Sequence, residues 1–388
     1  MGLSAKEVEG DMKLDELPLA EIRAGAADVD RGRRFPTAAM AALRRGGWLA
    51  LAVPAAYGGP GGTAPEIARA VEKVAAACAS TGIVYTMHLT ATRTLLAGTD
   101  GEQDGMKAET LRAIAAGRHL STLAYSERGT RSHFWAQLSR AVAHDGGVLL
   151  TADKTWATSA GNVDSYIVAT GAVCGDGPLI TELYLVPATS AGIQVRGAFD
   201  GLGLRGNASS PVRFHDVFVA SGQRLGAPAS GFGLMLTATL PIFVVCSAAV
   251  SVGIAEAAIE AAAAHLTATR LEHLATTLAQ MPGSRSRLAE ARIRHLQARA
   301  LLHQVAGQVE SGSAEAQEGV LALKAAAAEM AIAVTDETMR ACGGAAFTSH
   351  LPLERHFRDA RAATVMAPTT DILRDLLGKA LTGQELFA

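Results

Sequence analysis

The sequence predicts an α+β protein in which an N-terminal all-α domain is followed by a central antiparallel β-domain and a C-terminal four-helix-type bundle. Three observations predict this order. Apolar residues recur at helical spacing as far as Gly117, short β-branched runs with glycine-containing turns follow, and helical spacing returns after residues 231–233. We therefore place the domains at residues 1–119, 120–228 and 229–388.

The N-terminal domain is rich in alanine, and its helical pattern is interrupted at Pro36 and in the glycine-rich stretch 58–62. Residues 53–59, Val-Pro-Ala-Ala-Tyr-Gly-Gly, form a loop whose paired glycines allow the backbone to approach a ligand. His88 lies in an otherwise apolar helical stretch.

The central domain is predicted from short β-branched runs bounded by turn residues. They cover residues 148–151, 166–170, 183–186, 192–196 and 212–219, with hairpin-type turns at 145–147 and 174–177. Residues 200–206 match the GxGxxG spacing of dinucleotide-binding folds. That motif must open a helix, whereas a strand-like run follows here, so we predict an ordinary β-domain turn.

The C-terminal domain contains long alanine-rich helical runs at residues 255–265, 287–307 and 314–340. Its most apolar stretch, 240–255, is shorter than the ~20 residues that a membrane-spanning helix needs, and it contains serine and glycine. This stretch predicts a buried helix of a soluble protein.

Composition excludes several classes of function. The formal net charge of −2 offers no positive surface to nucleic acid or to an anionic membrane. The four cysteines are far apart, without a CxxC or histidine pattern, and predict buried free thiols and no metal site. The charged N-terminal segment lacks the apolar core of a secretory signal, so we expect a cytoplasmic protein. The GxSxG, Walker and HExxH motifs of common hydrolases and nucleotide triphosphatases do not occur.

Segments spread in order along nearly the whole chain resemble the acyl-CoA dehydrogenase superfamily of FAD enzymes. The segments are VPAAYGG at 53–59, LAYSERGTRS at 123–132, KTWAT at 154–158, GLRG at 203–206, FHDV at 214–217, RACGGAAF at 340–347 and RDAR at 358–361. Each is weak alone, and their shared order carries the resemblance. It implies the same α, β, α division and an FAD cofactor.

The resemblance implies a flavin-binding role for several residues. Backbone amides of the 123–132 loop and the hydroxyls of Ser126 and Ser132 would face the flavin ring edges and phosphates. Trp156 would pack on the isoalloxazine while Thr158 bonds near N5, which orients a cofactor that carries the redox chemistry itself. The implied cofactor-binding residues are Leu123, Tyr125, Ser126, Ser132, Trp156, Thr158, Arg270, Gly343, Gly344 and Thr369.

Two of these positions imply a homo-oligomer, either a dimer or a tetramer. Arg270 matches an arginine that reaches the FAD pyrophosphate of a neighbouring subunit, and the Gly343–Gly344 turn matches a place where the partner's backbone approaches that cofactor. The alternative for Arg270 is an ordinary cation at the end of a helix.

The catalytic carboxylate of the family has no counterpart here. In the family a glutamate in a YEGT-like segment takes the substrate α-proton, and Ala367 occupies that position. Some members carry the base on another helix, where this chain has residues 237–241 with neither a carboxylate nor the adjoining arginine. Asp371 is a candidate replacement, although we favour a helix first turn for it, with Thr369 or Thr370 as the cap.

Two histidines are the remaining catalytic candidates. Related flavin-dependent monooxygenases use histidine and serine near the flavin C4a, and His88 is a candidate for that role or a satisfied core histidine. His133 lies in the loop that should face the cofactor, or it is a solvated loop histidine. The C-terminal histidine common in those monooxygenases is also replaced by Ala367.

Three functions remain open at this point. The first is oxidation of an acyl thioester, bound to CoA or a carrier protein, with a non-standard base. The second is a monooxygenase that uses reduced flavin, FAD or FMN, and O₂ on a small molecule. The third is a redox-neutral flavoprotein that binds an acyl group. An electron-transfer or flavin-reductase partner is expected for the first two.

Overall fold

The computed structural model describes residues 13–387, so the charged segment at residues 1–12 lies outside the described part. The N-terminal domain consists of helices α1 (Leu19–Gly32), α2 (Thr37–Arg45), α3 (Ala64–Ala77), α4 (Ala79–Thr99) and α5 (Gly105–Ala115). The paired glycines of the 53–59 loop serve its own packing, because a Cβ on Gly59 would lie 2.2 Å from the Val53 carbonyl oxygen.

Helix α4 is the centre of the N-terminal domain. Almost its whole surface is buried, because it packs against α3, the first strand of the β-domain and the long C-terminal helix α7. Its buried threonines are compatible with this environment, because the hydroxyls of Thr90, Thr92 and Thr94 donate to carbonyl oxygens one turn earlier in the helix. Its neighbour α3 begins with a capping box, in which the Glu66 amide donates to Thr63 Oγ1 at 3.4 Å and Glu66 Oε2 accepts the Thr63 amide at 2.7 Å.

The β-domain is built from two four-stranded sheets, and all five predicted strands are present. The strands are β1 (Ser121–Ala124), β2 (Ala141–His144), β3 (Gly147–Ala157), β4 (Ser165–Gly171), β5 (Thr181–Pro187), β6 (Ile193–Val195), β7 (Ser210–Ala220) and β8 (Arg224–Leu225). The sheet orders are β1-β4-β5-β8 and β2-β3-β7-β6. The pairing of β1 with β4 is parallel, which corrects the all-antiparallel prediction. It forms because the chain crosses to the other sheet between these strands.

Strands β4 and β5 are buried along nearly their entire length. One face, with Ile167 and Leu185, packs on the helical core, while the other face, with Tyr166 and Tyr184, packs inside the β-domain. A sheet covered on both faces produces such continuous buried runs. Strand β3, an inner strand of the other sheet, instead alternates between buried and exposed residues along most of its length.

The GxGxxG-like stretch is a loop that leads into β7 at Ser210, as predicted. A Cβ on Gly203 would lie 2.4 Å from the Arg358 carbonyl oxygen, so this glycine permits close packing against the C-terminal domain. No phosphate-binding role is required to explain it.

The C-terminal domain contains α6 (Gly231–Leu234), a π-helical turn (Met235–Thr239), α7 (Leu240–Ala268), a short β9–β10 hairpin (Arg270–Leu271 and Thr276–Thr277), α8 (Pro282–Ser311), α9 (Ala316–Cys342), α10 (Leu353–Asp359), α11 (Ala362–Val365) and α12 (Thr370–Leu381). The stretch Gly231–Ala268 is long and apolar enough to cross a membrane, yet 89% of its most apolar window is buried inside the protein. This agrees with the predicted buried helix.

The two helical domains share one hydrophobic core. Helix α7 packs against α3 and α4 of the first domain as well as against α8 and α9. The prediction of buried thiols is wrong for Cys174, which is exposed between β4 and β5, whereas the other three cysteines are buried and free.

Candidate functional site

The loop at 123–132 leaves strand β1 and lies at the junction of the β-domain and the C-terminal domain. Leu123 and Tyr125 are buried, and the Ser126 carbonyl oxygen accepts the Thr155 amide at 2.9 Å. Arg128 and Arg131 are exposed, and Arg131 has a φ of 49°. The loop therefore presents positive charge on an otherwise well-anchored backbone.

Ser132 and Thr369, both predicted cofactor residues, are in direct contact. Ser132 Oγ donates to Thr369 Oγ1 at 3.1 Å and accepts the Thr369 amide at 2.7 Å. These bonds join the β-domain loop to the residue before α12. The structure thus brings two of the predicted site segments together.

A buried ion pair that sequence reasoning missed supports this loop. Lys154 Nζ lies 2.6 Å from Glu127 Oε1, and it also donates to Gln137 Oε1 at 2.8 Å. Glu127 Oε2 accepts the backbone amides of Leu138 and Ser139 at 2.6 and 2.9 Å. Burial raises the pKa of Glu127, but Lys154 and these donors outweigh burial and lower it overall. The sequence offered one signal for this pair: Lys154 follows the alternation of β3 at a position that should be buried, where a lysine needs a partner.

Trp156 and Thr158, on and just after β3, have contrasting environments. The Trp156 indole is 65% exposed, whereas Thr158 is buried with its Oγ1 2.9 Å from Ser209 Oγ. A large aromatic ring left open beside an anchored threonine is suited to packing on a flat ligand.

The position of the missing glutamate is occupied by an apolar turn. Ala367 is half-buried and packs on the helical core, in the connection between α11 and α12. Asp371 is exposed in the first turn of α12, after Thr369 at the N-cap position, as the favoured alternative predicted. The Thr369 side chain does not cap the helix, because it bonds Ser132 instead.

The second possible base segment also lacks a carboxylate. Thr239 Oγ1 lies 2.8 Å from Thr94 Oγ1 and 3.3 Å from the Tyr125 hydroxyl. Thr94 donates its own proton to the Thr90 carbonyl at 2.9 Å, so the chain of hydroxyls runs from Tyr125 through Thr239 to Thr94. Burial raises the pKa of Tyr125 well above its usual range, which keeps its hydroxyl protonated.

His88 has the environment of a core histidine. It is fully buried; Nδ1 accepts the Ser121 amide at 3.2 Å, so Nε2 carries the proton and donates to the Leu49 carbonyl at 3.0 Å. Burial lowers the pKa of His88 to about 4, so the ring is neutral. Both ring nitrogens are thus occupied by backbone groups, and the geometry favours the core alternative over the catalytic one.

His133 is exposed and lines a cleft of about 340 Å³. Nδ1 lies 3.2 Å from the Thr130 carbonyl oxygen, which can only accept, so Nδ1 carries the proton and Nε2 remains the basic nitrogen of the neutral ring. The lining also includes Asp375 and Lys379 of α12. Phe387 lines the cleft as well, with its ring centroid 5.0 Å from that of Trp135.

Arg270 and the Gly343–Gly344 turn lie at the surface. The Arg270 side chain is 63% exposed, and its nearest carboxylate oxygen, in Glu272, is 3.6 Å away. Both glycines are exposed, and no atom lies within 4 Å of a Cβ built on either. Both sites are therefore accessible at the surface of the described chain.

The RDAR segment has a structural role that the sequence did not indicate. Arg358 makes paired bonds of 2.9 and 2.6 Å to the carboxylate of Asp30 in α1. Asp359 Oδ1 accepts the Leu204 amide at 2.6 Å, and burial raises the pKa of this carboxyl to about 6. The segment therefore fastens α10 to α1 and to the β-domain.

The residues present fit a flavin nucleotide. Trp156 offers an open aromatic face, and the exposed Arg128 and Arg131 suit a pyrophosphate. The hydroxyl of Thr370, at the start of α12, is buried and has no hydrogen-bond partner within residues 13–387. A flavin bound beside the Ser132–Thr369 contact would give this hydroxyl a partner.

The fold and this site define a three-domain helical–β–helical protein of the kind found among flavoproteins. Two family models match the chain: the acyl-CoA dehydrogenase N-terminal domain over residues 15–118 and the acyl-CoA dehydrogenase C-terminal domain over residues 229–382. The chain belongs to the acyl-CoA dehydrogenase family, as the sequence motifs indicated.

Relatives of known name support this assignment along most of the chain. A probable acyl-CoA dehydrogenase, fadE25 of Mycobacterium leprae, is 28% identical over 93% of this chain and 91% of its own length. The mitochondrial short-chain specific acyl-CoA dehydrogenase of Bos taurus is 27% identical over 90% of this chain and 83% of its own.

Solved structures share the fold. Butyryl-CoA dehydrogenase from Megasphaera elsdenii superposes with a TM-score of 0.87 at 22% identity, covering 98% of this chain and 100% of the other. FMN-bound TdsC from Paenibacillus sp. A11-2 gives 0.86 at 24%, covering 97% and 99%. The prolyl acyl carrier protein oxidase AnaB gives 0.84 at 19%, covering 94% and 97%.

Proposed function

We propose that this protein is an FAD-dependent oxidoreductase that removes hydrogen from an acyl thioester without a carboxylate at position 367. The contact between Ser132 and Thr369 carries the proposal, because it joins two segments that would hold the flavin, although Ala367 nearby supplies no base. The similarity to acyl-CoA dehydrogenases over 93% of the chain supports the substrate class.

Four site residues have a part in this reaction. When bound, FAD supplies the acceptor for the hydride that leaves the substrate β-carbon. Trp156 provides the surface on which the flavin ring rests, and Arg128 and Arg131 balance phosphate charge. Nε2 of His133 is the basic nitrogen available to take the α-proton, since Nδ1 is held by the Thr130 carbonyl.

The active form is a homo-oligomer, dimer or tetramer, in this proposal. The exposed Arg270 and the open Gly343–Gly344 turn supply the pyrophosphate contacts of a neighbouring subunit's FAD. Leu240 occupies the place of an arginine of the acyl-CoA segment, so the thioester is carried either on CoA or on a carrier protein. Electrons then leave to a separate acceptor protein.

A monooxygenase is the second candidate. The observation that favours it is the lack of a carboxylate at both family base positions, Ala367 and the segment around Thr239. Oxygen activation by reduced flavin, FAD or FMN, needs no base to remove an α-proton. It requires a flavin-reductase partner, and His133 would then manage protons beside the flavin.

Product analysis distinguishes these functions. The FAD-loaded protein is incubated with a panel of acyl-CoA and acyl-carrier-protein thioesters and an artificial electron acceptor, and in parallel with reduced flavin and ¹⁸O₂. Dehydrogenation yields a product lacking two hydrogens in the first reaction. Incorporation of one labelled oxygen in the second reaction would support the monooxygenase instead. Binding without either product would replace both with a redox-neutral acyl-binding function.

A further inference from the structure

Lys324 is a buried lysine that the proposed chemistry does not use. It lies in α9, within an alanine-rich stretch, and its residue is 1% exposed. Its ammonium donates to the carbonyl oxygens of Ala363 at 2.7 Å, Met366 at 3.0 Å and Pro368 at 2.8 Å. Within residues 13–387 it forms no ion pair with a carboxylate. All three ammonium protons are therefore directed at one short backbone segment.

The segment needs these bonds because of its local structure. Helix α11 is only four residues long, and α12 does not begin until Thr370. The Ala363 carbonyl belongs to this single helical turn, and those of Met366 and Pro368 follow it, so none lies within a longer α-helix that would supply its amide donor. Pro368 also contributes no amide proton of its own. A lysine reaching across from α9 replaces the missing donors.

The same segment adjoins the candidate site through the contact of Thr369 with Ser132. We define residues 363–369 as the strap. It contains Ala367 at the former base position, and it ends at Thr369, whose amide bonds Ser132. Lys324 holds the carbonyls on both sides of Ala367, those of Met366 and Pro368.

We propose that Lys324 is a positioning residue that holds the strap from behind, so that Thr369 meets Ser132 and the site retains its flavin-facing shape. This inference rests on the proposed function for the identity of the ligand. The contacts themselves belong to the protein alone, so the effect on the strap is measurable without flavin.

Lys324→Met is the test variant, because methionine keeps the length and apolar stem of lysine and removes all three bonds. Val334→Ala is the matched control, since Val334 is fully buried in the same helix but lies away from the strap contacts. Amide hydrogen exchange of the flavin-free proteins is measured at Thr369, and the FAD dissociation constant is measured by flavin fluorescence.

We expect Lys324→Met to speed exchange at Thr369 about tenfold or more and to weaken FAD binding about tenfold. Val334→Ala should leave both within about threefold despite lowering the melting temperature. Wild-type exchange at Thr369 in Lys324→Met would overturn the proposal. If that variant does not fold, Lys324→Gln, which retains an amide donor, replaces it and should show smaller changes in the same direction. Wild-type protein that binds no FAD would contradict the proposed function, while the exchange result still decides the role of Lys324.

Discussion

Ser132 and Thr369 are 237 residues apart in sequence, yet the Thr369 amide donates to Ser132 Oγ at 2.7 Å. The bond links a loop of the β-domain to the strap that precedes α12. A flavin held by this junction would contact both domains at once. Ala367, two residues before Thr369, carries no acidic side chain.

Changing Ser132 to alanine should weaken flavin binding about tenfold, because it removes two hydrogen bonds and leaves the Thr369 amide without its acceptor. Isothermal titration with FAD measures the effect. Ser221→Ala is a suitable control, since its hydroxyl bonds the Gly146 carbonyl in an exposed turn of the same domain. Equal affinities for the two variants would contradict a role of the junction in flavin binding.

Glu127→Gln should destabilise the β-domain by about 3–5 kcal/mol, because Lys154 would be left as a buried cation without its counter-ion. Urea unfolding followed by near-ultraviolet circular dichroism gives the free energy of unfolding. The double variant with Lys154→Met should recover part of the loss. Lys154→Met is measured alone as well. If the destabilisation of the double variant equalled the sum of those of the two single variants, Glu127 and Lys154 would not act as a pair.

His88→Gln tests whether His88 is part of the core. The folded-state pKa of about 4 is below the ordinary 6.5, so the unfolded chain binds the proton more readily between those values. His88 therefore contributes stability above pH 6.5 that is lost as the pH falls towards 4, up to about 3 kcal/mol. Glutamine can make the same two backbone bonds without titrating.

The contribution of His88 is the difference in unfolding free energy between wild type and His88→Gln at each pH, because other groups also titrate in this range. Asp359, whose pKa burial raises to about 6, shifts stability in the opposite direction over part of this range. Unfolding free energies of both proteins from pH 4 to 7 should diverge on acidification, with wild type losing more. Parallel curves would show that His88 is not held neutral. Retained activity in His88→Gln would complete the case against a catalytic role.

His133→Ala should lower the rate of substrate oxidation about 10²-fold or more while leaving FAD affinity unchanged, because Nε2 is the proposed proton acceptor. Rapid-mixing measurement of the oxidation rate, with FAD titration as the folding check, gives both quantities. His215→Ala, at an exposed position of β7, is the control. A wild-type rate in His133→Ala would leave another group to act as the base.

The order of helices and strands could be predicted from the sequence because it depends on local periodicity. All five predicted strands lie within observed strands or overlap them, and His88 falls inside α4. The parallel pairing of β1 with β4 could not be predicted, since it depends on which distant strand reaches the edge of β1.

The contacts that define the site were hidden from sequence for the same reason. Lys154 and Glu127 are separated by 27 residues, and an isolated antiparallel β-bridge between the loop and β3 brings them together. From the sequence alone, Lys324 in an alanine-rich helix resembles a solvent-exposed lysine. Its carbonyl partners lie about forty residues further along the chain, so the local pattern does not indicate them. Motif resemblance identified Ser132 and Thr369 separately, but not their bond.

The most direct test of the account is anaerobic single-turnover mixing of the FAD-loaded protein with candidate acyl thioesters, followed by the visible absorbance of the flavin. The account predicts that at least one acyl-CoA or acyl-carrier-protein thioester bleaches the flavin and that His133→Ala slows this bleaching. Purified protein that binds FAD tightly but is bleached by none of the thioesters would contradict thioester oxidation as its activity.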